Sequence, residues 1–252
     1  MNTNEATIKY CQRIADDALI LGHRLSEWCS KAPFIEEDLA LTNIALDYIG
    51  RAESFLKYAG ELENKGQTAD HLAYRRAENK YLNHLICEQV NGDFANTIAR
   101  QLLFSAYDYL LQNELTKSKD ATIAGIASKA VKEAKYHLQH AIDWTIRLGD
   151  GTKESKERIQ NAINNLWMYT GELFEMDEVE NALLKAGIAV DLIPIKSQWE
   201  IKIQAVLDEA TLTHPEESYM QTGGRTGIHT ENLGHILSEM QYLQRTYPDA
   251  EW

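Results

Sequence analysis

The sequence has few residues that interrupt helices or form cross-links. Only 4 of its 252 residues are proline and 14 are glycine. Long stretches are rich in Ala, Leu, Glu, Lys and Gln, which indicates a mostly helical protein. The three cysteines, Cys11, Cys29 and Cys87, are odd in number and show no CxxC spacing. We therefore expect reduced thiols, buried as small side chains on helices.

Long apolar runs and an excess of basic residues are also missing. No segment approaches the roughly 18 to 20 uninterrupted apolar residues of a membrane span. The start of the chain has neither the basic residues nor the apolar run of a signal peptide. The net charge of −13 argues against nucleic acid or an anionic membrane as a partner. We expect a cytoplasmic protein that binds neither.

Apolar residues recurring at steps of three and four predict long helices. The predicted helices cover residues 4–29, 35–62, 71–90, 94–117, 121–148 and 153–185, with shorter ones at 195–211 and 230–246. Asp93 is the expected N-cap of the fourth helix. There is no run of alternating strand residues and no convincing linker. The prediction is a single all-α domain over residues 1–252, a bundle of long helices with short peripheral ones.

The second predicted helix, over residues 35–62, is apolar around much of its circumference. Its main stripe includes Leu41 and Phe55, but Leu39 and Leu46 lie off that stripe. Helices with this pattern sit in the middle of a bundle, so we expect its sides to be covered.

The segment Lys132–Leu138 places a carboxylate and an imidazole on one side of a long helix. At 100° per residue, Glu133 lies about 40° from His137, and both are expected to point inward. A buried carboxylate needs a charge partner, hydrogen bonds or a metal ion. Two interpretations stay open: an internal hydrogen-bonded pair, which we favour, and half of a di-iron or di-manganese site.

The other ligands of such a di-metal site are hard to find. Di-metal bundles use two Glu-x-x-His elements and one Glu from each of two further helices. Here the residue three positions after Glu133 is Tyr136, and the central helices contain no second Glu-x-x-His. The remaining polar candidates on the predicted helices over residues 4–29, 35–62 and 94–117 are Asp16, Asp17, Asp38, Asn43, Asp47, Gln101 and Asp108. No six-ligand set can be assembled, and capping or polar packing is the expected role of Asp38, Asn43 and Asp47.

Two motifs near the C-terminus carry weaker implications. The loop Gly223–Gly227 lacks the P-loop pattern and follows no strand, so we expect a flexible connection, with contact to an anion or a partner as the alternative. His229, Glu231, His235 and Glu239 resemble a metal-binding face by their spacing. We favour a capped, solvent-accessible helix start with a polar side.

Several segments together carry a family resemblance that spans nearly the whole chain. They are Leu25–Cys29, Asp38–Asp47, Glu88–Gln101, Lys132–Leu138, His229–Glu231 and Glu239–Arg245, with the final Trp252. By these segments the sequence resembles the PaaC family. Its members are non-catalytic, ferritin-like subunits of the phenylacetyl-CoA 1,2-epoxidase, a monooxygenase complex.

The resemblance implies a ferritin-like fold and a role in aerobic phenylacetate degradation. It implies a related catalytic partner, PaaA, which carries the di-iron centre, together with PaaB and the reductase PaaE. It implies no catalytic residue, cofactor or metal in this chain, with Asp47, Glu133 and His137 as candidates for remnants of a lost site. We expect a broad partner interface of roughly 2,000 Å² or more, to which Trp28 contributes.

Other functions stay open beside that of a structural subunit. A self-sufficient di-metal carboxylate oxidase with an atypical ligand set requires bound iron or manganese and turnover without a partner. A stand-alone helical binding or storage protein requires a stable homo-oligomer that ignores the catalytic partner. A homodimer of the isolated chain is also open.

Overall fold

The computed structural model describes residues 1–216, 219–248 and 250, and these residues form helices and turns without a strand. The α-helices are α1 (Thr3–Ser26), α2 (Ile35–Glu63), α3 (Ala69–Tyr74), α4 (Leu85–Glu88), α5 (Phe94–Leu115), α6 (Ala121–Gly149), α7 (Lys153–Leu166), α8 (Glu178–Ala186), α9 (Leu192–Glu209), α10 (Glu231–Met240) and α11 (Tyr242–Thr246). The predicted all-α fold is confirmed. None of the helices in this part of the chain is long and apolar enough to cross a membrane.

The chain divides into two compact units. The first combines Met1–Val90 with the segment from Gly223 onward, and the second is Asn91–Thr222. The prediction of a single domain over residues 1–252 stays a prediction.

Helix α1 is the centre of the first unit. It begins with a capping box, in which Asn2 Oδ1 accepts a hydrogen bond of 2.8 Å from the Glu5 backbone N–H while the Glu5 carboxylate accepts one from the Asn2 N–H. Helix α1 packs along α2 and also contacts α4 and α10. Because neighbours surround it, even its charged residues Asp16 and Asp17 are buried.

The prediction of one helix over residues 71–90 is wrong. The structure has the short α3, a 3₁₀ turn at Glu78–Lys80 and the single turn of α4. Between the last two, the backbone N–H groups of Leu82 and His84 donate to the carboxylates of Asp16 and Asp17, at 2.8 and 2.6 Å. These bonds to buried charges replace the bonds that a continuous helix would make.

Helix α5 is the centre of the second unit, where it contacts α6, α7 and α9. Asp93 caps it as predicted, since Asp93 Oδ1 accepts from the Asn96 N–H at 2.9 Å. Helix α9 is held against it by the Trp199 indole N–H, which donates to the Leu103 carbonyl at 2.9 Å. The observed α5 and α6 end within two residues of the predicted limits.

The prediction of one long helix over residues 153–185 is also wrong. Helix α7 ends at Leu166, two 3₁₀ turns follow, and α8 begins at Glu178 with Asp177 as its N-cap. A Cβ at Gly171 would lie 2.9 Å from the Met220 side chain, so a larger residue there would require that side chain to shift. The Asp177–Glu180 capping box is a local signal for the start of a new helix, which the continuous periodicity masks.

Two predictions about burial need correction. Leu39 and Leu46 of α2 are 61% and 60% exposed, so the sides of this helix are not all covered in the isolated chain. Cys11 and Cys87 are buried free thiols as expected, whereas Cys29 is exposed in the turn that follows α1.

Candidate functional site

The predicted carboxylate–imidazole pair lies on α6 in the second unit. His137 is buried, with 1% of its surface exposed. Glu133, one turn earlier, keeps 19% of its side chain exposed and has Oε1 3.8 Å from Lys129 Nζ. Tyr136 lies on the exposed flank of the helix. The imidazole therefore points inward as predicted, while the carboxylate sits at the edge of the interior beside a lysine.

The third remnant candidate, Asp47, belongs to the other unit. It lies half-buried on α2, as does Asp38, while Asn43 of the same helix is exposed. Glu133 and His137 belong to the second unit and Asp47 to the first, so neither unit by itself brings the three residues together. Their assignment as remnants of a site stays a prediction.

Helix α5 contributes a buried polar stripe to the second unit. Its members, at spacings of four, three and four residues, are Gln101, Ser105, Asp108 and Gln112. The Gln112 amide N–H donates to Asp108 Oδ1 at 3.1 Å. The Gln101 amide is 1% exposed, and neither its nitrogen nor its oxygen has a hydrogen-bond partner among the described residues. Most of this stripe is neutral.

These residues do not fit a di-iron centre. Such a centre takes four carboxylates and two histidines from facing helices. In residues 1–216, 219–248 and 250, no three His, Cys, Asp or Glu side chains are grouped so that they could hold a metal ion. Amides occupy much of the α5 face, and an amide is a weak substitute for the negative charge that iron ions require.

The first unit has a buried charge network that begins on α1. Two guanidinium nitrogens of Arg76 donate to the Asp16 carboxylate, one of them at 2.9 Å from Oδ2. The Asp16 side chain is fully buried. The Arg76 guanidinium also lies 4.2 Å from the centre of the Tyr81 ring. Burial raises the pKa of Asp16 above its usual value although Arg76 opposes that shift. The pair ties α1 to the chain that follows α3.

Asp17 joins three segments of the first unit. Its carboxylate accepts from the Arg225 guanidinium at 2.9 Å and from the His84 backbone, and lies 3.0 Å from His84 Nδ1. Burial alone would raise the pKa of Asp17, but Arg225 and His84 outweigh it and lower the pKa below its usual value. Asp17 is thus held as a carboxylate.

Arg225 anchors the glycine-rich loop that was expected to be a flexible connection. Its guanidinium donates to the carbonyls of Arg13 and Leu82 at 2.9 and 2.8 Å, in addition to Asp17. Gly227 has φ of +80°, and a Cβ there would lie 2.4 Å from the Asn79 carbonyl oxygen. The anion that the loop binds is an internal carboxylate. Arg225 therefore anchors the loop inside the first unit, and contact of the loop with an external anion or a partner stays a prediction.

Glu88 and His229 form the third part of the network. The Glu88 carboxylate is fully buried and accepts from four donors: His229 Nδ1, Asn83 Nδ2, and the backbone N–H and hydroxyl of Thr230. The other His229 ring nitrogen, Nε2, lies 2.9 Å from the Tyr81 carbonyl oxygen. Because both ring nitrogens face acceptors, the imidazolium satisfies both contacts. Burial lowers the pKa of His229, but the Glu88 carboxylate outweighs burial and raises it.

The favoured interpretation of the His229–Glu239 motif is therefore correct in part. Glu231, His235 and Glu239 are exposed on α10 and form its polar side. The His229 side chain is only 1% exposed and serves Glu88 instead. Local spacing gave no sign of this role because the two residues lie 141 positions apart.

The network explains why some of the resemblance-carrying segments contain charged residues. Glu88 and His229 lie in two of those segments and meet in the interior of the first unit. Arg24 lies just before a third, and its guanidinium donates to the carbonyls of Glu88 and Asn232. These buried, paired charges connect segments that are far apart in the sequence. Trp252, the last residue of the resemblance, lies outside the described residues.

The helical fold and the buried polar residues of the two units define an all-α, ferritin-like protein. Its described residues lack the ligand set of a di-metal centre. The sequence model of the family described as "Phenylacetic acid catabolic protein" (PaaA_PaaC) matches residues 1–252. The chain belongs to this family. It is 48% identical over 243 residues to a protein of Escherichia coli (strain K12) that is named as a subunit of 1,2-phenylacetyl-CoA epoxidase, covering 96% of this chain and 98% of that protein. The resemblance found from the motifs is confirmed.

Proposed function

We propose that this chain is a non-catalytic, structural subunit of a phenylacetyl-CoA 1,2-epoxidase complex in aerobic phenylacetate degradation. The observation that carries the proposal is the 48% identity to a protein named as a subunit of that epoxidase, over nearly the full length of both chains. Identity at this level across whole chains, without a large insertion or deletion, supports an equivalent place in an equivalent assembly.

The proposed partner is the catalytic subunit PaaA, which would carry the di-iron centre and bind the CoA thioester. PaaB and the reductase PaaE would complete the complex, in the cytoplasm. The family model, which covers PaaA and PaaC together, supports a common origin for the two chains. A chain that shares the helical fold but not the metal site can contribute a long helical surface for pairing.

The donor set supports the non-catalytic part of the proposal. Helix α6 offers His137 with Glu133, and the Glu133 carboxylate lies beside Lys129. Helix α5 offers mainly amides and Asp108, whose carboxylate accepts from Gln112. The alternative of a self-sufficient di-metal oxidase has no supporting geometry in the described part of the chain.

Elemental analysis tests the proposal. Iron and manganese would be measured in the chain purified alone and in the complex co-purified with PaaA, and epoxidation followed with and without this chain. We expect a metal-free chain that co-elutes with an iron-loaded partner. Glu133→Gln and His137→Gln are expected to leave iron content and turnover of the complex unchanged. Stoichiometric metal in the isolated chain, lost in Glu133→Ala, would overturn the proposal and make the chain a catalyst.

A further inference from the structure

Helix α2 exposes several large apolar side chains. Ile35 is 73% exposed, and Leu39 and Leu46 are each about 60% exposed, although all three are large aliphatic side chains. Phe34, which precedes the helix, is exposed as well. A helix that is apolar around most of its circumference is normally covered on those sides. In the described chain this side is open, so the covering surface has to come from elsewhere.

The exposed residues share one face of α2. At 100° per residue, Leu46 and Leu39 lie about 20° and 40° from Ile35, and Gly50 lies about 60° from it. We call Ile35, Leu39, Leu46 and Gly50 the α2 stripe. At 1.5 Å per residue the stripe is about 22 Å long, which is about four helical turns. This length suits contact with one crossing helix.

Gly50 is an independent indication of a contact at this face. A Cβ added to Gly50 would meet no atom within 4 Å, so nothing inside the chain requires a glycine there. Glycine weakens the middle of a helix relative to alanine. The distance between two packed helices depends on the size of the side chains at their crossing. A glycine without an internal reason, at the end of an exposed apolar stripe, fits the close approach of a second helix.

The charge around the stripe indicates what kind of helix fits. Helix α2 carries seven acidic residues and two basic ones. Glu36 and Glu53 are exposed, and Asp38 and Asp47 are half-buried, on or beside the stripe. Of the two basic residues, Arg51 is buried, and Lys57 is exposed on the same face seven residues beyond Gly50, so acidic residues dominate along the stripe itself. In a symmetric dimer of this chain the same acidic surface would face itself, and like charges would repel. A helix with an apolar stripe flanked by Lys and Arg has the complementary pattern.

We propose that the α2 stripe is the docking surface for an apolar helix with basic flanks that belongs to a different chain. This rests on the proposed function and deepens it, because it assigns the surface by which the chain binds another member of the complex. The stripe alone is smaller than a stable interface of about 1,600 Å², so it forms one part of a larger contact.

Binding of purified PaaA and of purified PaaB, each measured separately by calorimetry or surface plasmon resonance, tests the stripe. Leu39→Glu and Leu46→Glu add charge at exposed sites and are expected to raise the Kd for one of these proteins about tenfold or more. Gly50→Leu is the sharper variant. It is expected to raise the thermal stability of the chain, since leucine favours helix, and to weaken binding. Ile201→Glu on α9, where Ile201 is 72% exposed, is the matched control with unchanged Kd.

The outcomes separate the docking surface from the proposed function. If the wild-type chain binds neither PaaA nor PaaB, the proposed function fails. If it binds one of them and all three α2 variants bind as tightly as Ile201→Glu, the stripe is not the docking surface while the proposed function stands. If the isolated chain is a dimer in solution that Leu39→Glu dissociates, the stripe joins two copies of this chain, and the inference is wrong.

Discussion

His229 Nδ1 lies 2.9 Å from Glu88 Oε2, and this contact joins the segment before α10 to the end of α4 in the interior of the first unit. Both side chains are almost completely buried. A buried pair contributes less to stability than its Coulomb energy suggests, but breaking it leaves a charge without compensation. The pair therefore acts as a specific connection between two segments that are far apart in sequence.

The first prediction concerns the Glu88 carboxylate. Glu88→Gln keeps the shape but places an NH₂ group among four donors, so we expect the free energy of unfolding to fall by about 3 kcal/mol or more. Urea denaturation of the isolated chain measures this. Glu200→Gln, which removes an exposed carboxylate 3.9 Å from Lys196 Nζ, is the control and should change stability by less than about 0.5 kcal/mol. Equal stability of the two variants would contradict the role of Glu88.

The second prediction concerns His229 and rising pH. Its pKa is raised in the folded chain, because Glu88 outweighs burial, so folding is linked to proton uptake. The stabilisation is complete below the unfolded pKa of about 6.5 and is lost as pH rises through the folded pKa. We expect the wild type to lose stability above pH 6.5 more steeply than His229→Gln. A His229 imidazole that titrates at or below pH 6.5 by NMR would contradict this.

The third prediction concerns His23 and falling pH. Burial lowers the pKa of His23 to about 4, and its Nε2 has no hydrogen-bond partner among the described residues. The unfolded chain binds this proton near pH 6.5, so the wild type should lose up to about 3 kcal/mol of stability as pH falls from 6.5 to 4. His23→Phe keeps the ring that packs against Tyr74 and should remove much of this loss. His235→Gln, at an exposed position, should keep the wild-type profile.

The sequence predicted the long helices well where their ends depend on nearby residues. Asp93 begins α5 by bonding the Asn96 N–H three positions on, and the observed start is the predicted one. The helix predicted over residues 71–90 is not observed, because backbone N–H groups of this segment donate to Asp16 and Asp17, more than 60 positions away. The spacing of apolar residues in a short window reports on local structure and does not predict partners so distant in the sequence.

The interior site was predictable to a smaller extent. The pattern on α6 placed His137 inside correctly, because periodicity reports which side of a helix is buried. Lys129 lies four positions before Glu133, a spacing that makes the two residues neighbours on a helix, but nothing local indicated that Arg225 would reach Asp17 from 208 positions away. Asp16 and Asp17 lie away from the apolar stripe that the sequence shows on α1, so the pattern gave no sign that they would be buried.

The fourth prediction concerns Gln101, whose buried amide has no hydrogen-bond partner among the described residues. An unsatisfied buried amide costs about 1 to 3 kcal/mol, so Gln101→Met, of similar shape, should raise the free energy of unfolding by about 1 kcal/mol. Gln112→Met is the control: it removes the donor to Asp108 and should lower stability. Thermal and urea unfolding of both variants decide the matter. A destabilised Gln101→Met chain would mean that the amide has a partner, such as an ordered water, whose hydrogen bonds outweigh the gain from an apolar side chain.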